Sequence, residues 1–347
     1  MQTLLTRLVL TAAFFSNLPL AFSQPAESPV TLSLDGSAWQ IKTDPSNLGI
    51  SQEWYQTVQA GSVATRVPWV IQDPFPGYHG VAWYWHSFTA PGCGLAGGRC
   101  LIKCWAVGYK GTVWLNGINL GEHEGPDTPF VLDATDAIRT GDENILAIRV
   151  VDPTQAGIDG LIRGQVPGGN VFPQAGIEDS VELLVYPAVY FEDVFIRPNW
   201  QTGTIAIEGT VKNTRSATIT ANLLFSVVPG DSTHSLQQVF SPGTTAVQAQ
   251  LQVENPRLWN LEDPFLYTIT GKIWEESSNS YDQRVIRCGF RDFRVENGCF
   301  RLNGKRIFLR CAHTGQQDPF GLRVAYDPNW PLFDITAMKA MGFNAIR

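Results

Sequence analysis

Three aspartates close to the carboxyl end, Asp318, Asp327 and Asp334, are of a type that can divide acid and base work between them, and His313 adds an imidazole nearby. Asp327 precedes Pro328 at the start of a helical pattern, so it reads as an N-cap, and no spacing brings the three carboxylates to one bond. Trp83, Trp85, Trp105 and Trp114 could stack on a sugar ring, but all four sit in strand patterns and read as core. The six cysteines, at 93, 100, 104, 288, 299 and 311, show no CxxC and no accompanying histidine cluster. No metal site or cofactor is therefore expected. Cys93 and Cys100 bracket the bendable stretch Gly94 to Arg99 and are expected to form a disulfide in an oxidising compartment, with Cys288 and Cys299 as a second candidate pair.

That compartment is implied by the amino end. Met1 to Arg7 carries one positive charge, Leu8 to Phe22 is mostly apolar, and Ala21-Phe22-Ser23 ends the run with small residues. Residues 1–23 read as a signal peptide. Asn17 and Pro19 interrupt an apolar run already shorter than the roughly 20 residues of a membrane span, so a secreted or extracytoplasmic protein with no membrane attachment after cleavage is expected. A net charge of −7 and a pI near 5.3 argue against a general nucleic-acid or anionic-membrane binder. Charged residues make up 16% of the chain, and 32 Gly with 22 Pro break it too often for long helices.

The elements that must position these groups are mainly β. Over 24–190, short apolar strands alternate with turn chemistry, and Asn116-Gly117 marks a tight hairpin. This reads as a jelly-roll sandwich. Asp152 to Gly176 is a glycine-rich loop of a length often tied to function. Over 191–291 the stretches Ile205 to Val211 and Ile219 to Phe225 alternate at period two, as in an immunoglobulin-like sandwich. Over 292–347 the grammar changes. Asn297-Gly298 and Asn303-Gly304 punctuate a meander, and Ile307-Phe308-Leu309 reads as a strand. Leu332, Ile335 and Met338 recur at helical spacing, Gly342 stops the helix, and Phe343 to Ile346 reads as a second strand. Strand, helix and parallel strand open an α/β fold.

Several stretches resemble glycoside hydrolase family 2, the β-galactosidases, β-glucuronidases and β-mannosidases. They are Val107 to Gly117, Gly121 to Gly125, Thr128-Pro129-Phe130, Gly289-Phe290-Arg291 with Phe300 to Arg310, and Met338 to Arg347, in that order along the chain. The resemblance implies a galactose-binding-like jelly roll, an immunoglobulin-like middle domain and the first strand, helix and strand of an incomplete (β/α)8 catalytic barrel. It implies hydrolysis of terminal β-glycosidic bonds with retention by two glutamates on later barrel strands, so none of these residues is assigned a catalytic role and this chain is expected to be inactive alone. The partner implied is a β-linked glycoside or oligosaccharide.

Two residues are carried over as substrate-binding. Arg347 matches a family arginine near the nucleophile, and His313 stands just beyond the first barrel strand, at the mouth where sites of that fold are built. Cys311 replaces a glycine common in the family, and Ala312-His313-Thr314-Gly315 replaces an Asn-Arg-His run, which leaves galactose, glucuronic acid and mannose open as the sugar. The oligomeric state is equally open. The competing reading is a non-catalytic carbohydrate-binding sandwich protein.

Overall fold

The computed structural model describes residues 30–91, 97–166, 174–276, 281–313 and 329–347. The first sandwich pairs a six-stranded antiparallel sheet with a four-stranded one. The larger runs Val63–Val67, Gly36–Thr43, Val81–Thr89, Glu143–Val151, Lys110–Leu115, Ile118–Glu124 in spatial order, and the smaller Val30–Ser33, Val181–Tyr186, Arg99–Cys104, Phe130–Asp133. A small sheet seats Gly176–Ile177, the exit of the glycine-rich loop, between Trp69–Val70 and Val107–Gly108.

The strand Val81–Thr89 shows why this sandwich needs so many aromatic residues. Its Ala82, Tyr84 and Phe88 enter the core between the sheets, while Val81, Trp83 and Trp85 enter a second cluster on the opposite face with Trp114, Ala147 and Val151. Trp54, Tyr55, Ile158 and Leu161 pack over that second cluster. A strand buried on both faces loses the polar alternation of a half-exposed one. Each tryptophan removes roughly 200 Å² from water, an upper figure of about 5 kcal/mol. Trp83, Trp85 and Trp114 are thus core, as expected. Trp105 is not: it is 38% exposed, with the Lys103 ammonium 3.3 Å from its ring centre.

The second sandwich faces a three-stranded sheet, Val189–Pro198, Thr204–Asn213, Gly243–Gln252, against a four-stranded one, Thr233–Phe240, Ile219–Val228, Tyr267–Trp274, Tyr281–Cys288. Alternate residues meet in its core, among them Ile205, Ile207, Leu223, Phe225, Ile269 and Ile273. Val189 belongs to this core, and its strand runs through the expected 190/191 boundary. At a bulge between Phe191 and Asp193, the buried Asp282 carboxylate accepts the Phe191 N–H at 2.7 Å.

Beyond the sandwiches, Phe293–Glu296, Cys299–Leu302 and Lys305–Arg306 form the meander. Its Asn297-Gly298 and Asn303-Gly304 turns, like Asn116-Gly117, hold both residues at positive φ, the geometry of tight hairpin turns that Asn and Gly tolerate. The helix spans Asn329–Ala340 and ends as Gly342 permits: φ is +86°, Gly342 N–H donates to Lys339 O, and Phe343 N–H donates to Met338 O. Residues 307–309 are not a strand. The strand is Cys311–Ala312, and it pairs in parallel with Ala345–Ile346.

Candidate functional site

The site grows from that parallel pair. Asn344 holds its start: the side-chain oxygen accepts from Arg310 N–H at 2.8 Å and the side-chain amide donates to Phe308 O at 2.9 Å. Accepting one hydrogen bond and donating another, this one side-chain amide fixes the preceding segment against the strand that follows the helix. At the other end Arg347 N–H donates to Ala312 O at 3.0 Å. This one short ladder brings His313 and Arg347 together, with Arg347 Nη1 at 3.4 Å from His313 Nε2. A guanidinium only donates, so in this contact Nε2 can serve only as the acceptor. Both side chains are exposed at the carboxyl ends of their strands. Together they present a guanidinium and an imidazole, side chains suited to hydroxyl or carboxylate oxygens.

Of the other candidates, Asp318, Asp327 and Cys93 lie outside the described residues, and so does the expected Cys93–Cys100 bridge. Asp334 is half-buried on the helix. Cys288 and Cys299 are free thiols and not a bridge; burial pushes the Cys288 thiol up to about 11. Among the described residues, no group of three His, Cys, Asp or Glu is placed to hold a metal ion.

A second polar cluster sits at the root of the glycine-rich loop. His79 Nδ1 lies 2.7 Å from Asp152 Oδ2 and 2.8 Å from Arg163 Nη1, and Gln72 donates to the same Asp152 oxygen at 3.1 Å. Gln72 also accepts from Ala175 N–H at 3.1 Å, so it joins both ends of the loop. Burial raises the Asp152 carboxyl, with His79 and Arg163 pulling the other way. Neither Asn344 nor this cluster is distinguished by sequence spacing. Two weak signals were present in the sequence, the length of the loop and the asparagine within Phe343 to Arg347.

The sequence profile of Glycosyl hydrolases family 2 matches residues 189–291, the second sandwich. A β-glucuronidase of Paenibacillus borealis is 25% identical over 291 residues, covering 78% of this chain and 47% of that protein. A β-galactosidase of Priestia megaterium is 26% identical over 299 residues, covering 81% and 28%. Among solved structures, a Bacteroides uniformis β-glucuronidase superposes with a TM-score of 0.76 at 24% identity, over 92% of this chain and 39% of that one, which shows the shared fold. The chain therefore spans less than half the length of these relatives. With the profile on the second sandwich, these relatives over most of the chain and the shared architecture, the chain is similar to family 2 of the glycosyl hydrolases, the family whose profile residues 189–291 match.

Proposed function

We propose that the protein is a secreted glycosidase of the family 2 type that cleaves terminal β-glycosidic bonds with retention, and that His313 and Arg347 bind the sugar at the reacting end. The observation that carries this reading is the contact between His313 and Arg347 at the carboxyl ends of two parallel strands, in a chain whose second sandwich matches the profile of this family. In the proposed site the strand–helix–strand unit of 292–347 opens a (β/α)8 barrel, whose sites form at that end of the strands. The relatives named as β-glucuronidase and β-galactosidase support a β-linked glycoside as substrate. The leader pattern of residues 1–23 supports export.

Retention requires two carboxyl groups roughly 5 to 5.5 Å apart. Residues 292–347 contain one glutamate, Glu296, and its carboxylate is 2.9 Å from Arg301 in the meander hairpin. The two-glutamate pair of the family cannot be drawn from this segment. The 347-residue polypeptide by itself is accordingly expected to bind sugar without turning it over. The test is incubation of the purified chain with nitrophenyl β-galactoside, β-glucuronide and β-mannoside. Turnover within the ordinary range of roughly 1 to 1,000 per second would refute the inactivity of the isolated chain. For the binding role, Arg347→Ala and His313→Ala in a chain that is active should raise KM or lower kcat; unchanged kinetics in both would refute the site.

A further inference from the structure

The chain is acidic overall, yet residues 281–310 hold eight Arg and Lys against three Asp and Glu, an excess of five positive charges in a protein of net charge −7. This basic stretch runs from the last strand of the second sandwich through the meander. Beside it lie two grooves, of about 700 and 360 Å³, which share Pro198 and Arg291 and so form one continuous depression. Its lining includes neither His313 nor Arg347.

The groove carries two kinds of recognition surface. Trp200 lies in one part, packed against the second core, and Trp259 in the other, with the Arg291 guanidinium 4.8 Å from its ring centre. Both rings are half-buried, so they offer fixed apolar faces. Around them stand Arg197, Arg287, Arg291 and Arg294. Arg197 pairs with Glu208, and Arg294 with Asp292 at 3.1 Å. Arg287 and Arg291 are exposed and form no ion pair among the described residues, which leaves two guanidiniums to meet an anion.

We propose that this groove binds an acidic polysaccharide of the uronate type, as an anchoring site separate from the His313–Arg347 end. The ring of a pyranose has an apolar C–H face that fits an indole, and its carboxylate fits a guanidinium bidentately. Nucleic acid is the other polyanion that such a patch could attract. Its charge density, about one per 1.7 Å of duplex axis, brings a long highly charged body against a protein whose remaining surface is strongly negative. A uronate chain carries its charges farther apart and can lie along the groove while making few contacts elsewhere. The inference does not depend on the glycosidase reading, because it concerns binding and uses no residue of the proposed site.

The experiment is calorimetric titration of the 347-residue protein with hexagalacturonate at low salt, beside cellohexaose and a ten-nucleotide oligothymidylate. Binding of the uronate alone, weakened by added salt and weakened about tenfold in Arg287→Gln/Arg291→Gln, is expected. The single Arg287→Gln exchange, at an exposed position, keeps the test available should the double variant fail to fold; it should weaken the uronate by a smaller factor. Absence of uronate binding, equal affinity for cellohexaose or for the oligothymidylate, or no change in either variant would overturn the proposal.

Discussion

Arg149 Nη2 donates to Asp159 Oδ2 at 2.6 Å, and this bond ties the glycine-rich loop to the centre of the first sandwich. Arg149 is 2% exposed on the strand Glu143–Val151, on the same face as Ala147 and Val151, and so beside the tryptophan cluster. Asn47 accepts a second bond from the same nitrogen at 2.7 Å and donates to Asp159 Oδ1 at 2.9 Å. A guanidinium at that depth is tolerated because its charge is answered by the carboxylate. Burial alone would raise the Asp159 carboxyl, but the Arg149 bond and charge bring it below its ordinary value.

Asp159→Ala should therefore destabilise the first sandwich by about 2 kcal/mol, less than the full cost of an orphaned buried charge because solvent reaches Asp159. Asp159→Asn, which retains an acceptor, should cost less. Denaturant unfolding of the two variants checks the order; equal stability to the parent would show that Asn47 suffices.

Asp282 gives a pH dependence of opposite origin. It is fully buried, and burial raises its carboxyl above 3.8 against the pull of Arg284. The folded protein then keeps a proton that the unfolded chain has released. Stability from this group is complete below the unfolded value and is lost as pH rises through the raised one. Asp282→Asn abolishes that titration while its amide oxygen can still accept from Phe191 N–H. Melting temperatures measured between about pH 4 and about pH 7 should show the variant gaining on the parent as pH rises. A constant difference across that range would contradict the raised carboxyl.

Asn344 is the clearest positioning residue. Asn344→Ala removes the bonds to Arg310 N–H and Phe308 O, with a local cost of about 1 to 3 kcal/mol. Hydrogen exchange at the Arg310 amide should accelerate by about tenfold or more, with both sandwich cores unchanged. Asn344→Asp keeps the acceptor for Arg310 and loses the donor to Phe308, so intermediate protection is expected. If Arg310 exchanges at the parent rate in Asn344→Ala, the clamp does not hold the strand.

Much of this architecture was legible because local chemistry and tertiary structure agree. Asn116-Gly117, Asn297-Gly298 and Asn303-Gly304 turn where a two-residue Asn-Gly hairpin should, and Ile205 to Val211 alternates because one face of its strand meets the core. Legibility ended where burial does not follow a simple period. Trp105 follows the apolar strand Arg99–Cys104 yet lies partly in solvent, its ring covered by Lys103. Arg149 is charged and buried, and nothing in its neighbours reveals the Asp159 that answers it ten residues later across a loop. Residues 307–309 are apolar without being a strand, since the parallel pairing begins only where Arg310 and Asn344 meet. Likewise His313 and Arg347 were each expected near one end of the fold, whereas their contact depends on a two-residue ladder whose register no spacing reveals.

At the carboxyl-terminal helix, apolar surface and anchoring are out of balance. The helix Asn329–Ala340 has no buried residue, and Leu332, Phe333 and Ile335 are all more than half exposed, as are Phe308 and Met341 beside it. By contrast the meander is fastened to the second sandwich, for Asn303 donates to Trp259 O at 2.9 Å and accepts from Asp292 N–H at 2.9 Å. Local opening follows the number of buried contacts that must be broken, so the helix and its strand pair should open well before either sandwich. Limited trypsin digestion should cut first at Arg310 and Lys339 and leave a resistant fragment that holds both sandwiches and the meander. The same exposed face should make the intact chain associate as concentration rises, and the trimmed fragment should not. Sedimentation of the two species measures this directly. Survival of the helix for as long as the sandwiches in a strictly monomeric sample would mean that its apolar face is protected within the chain itself.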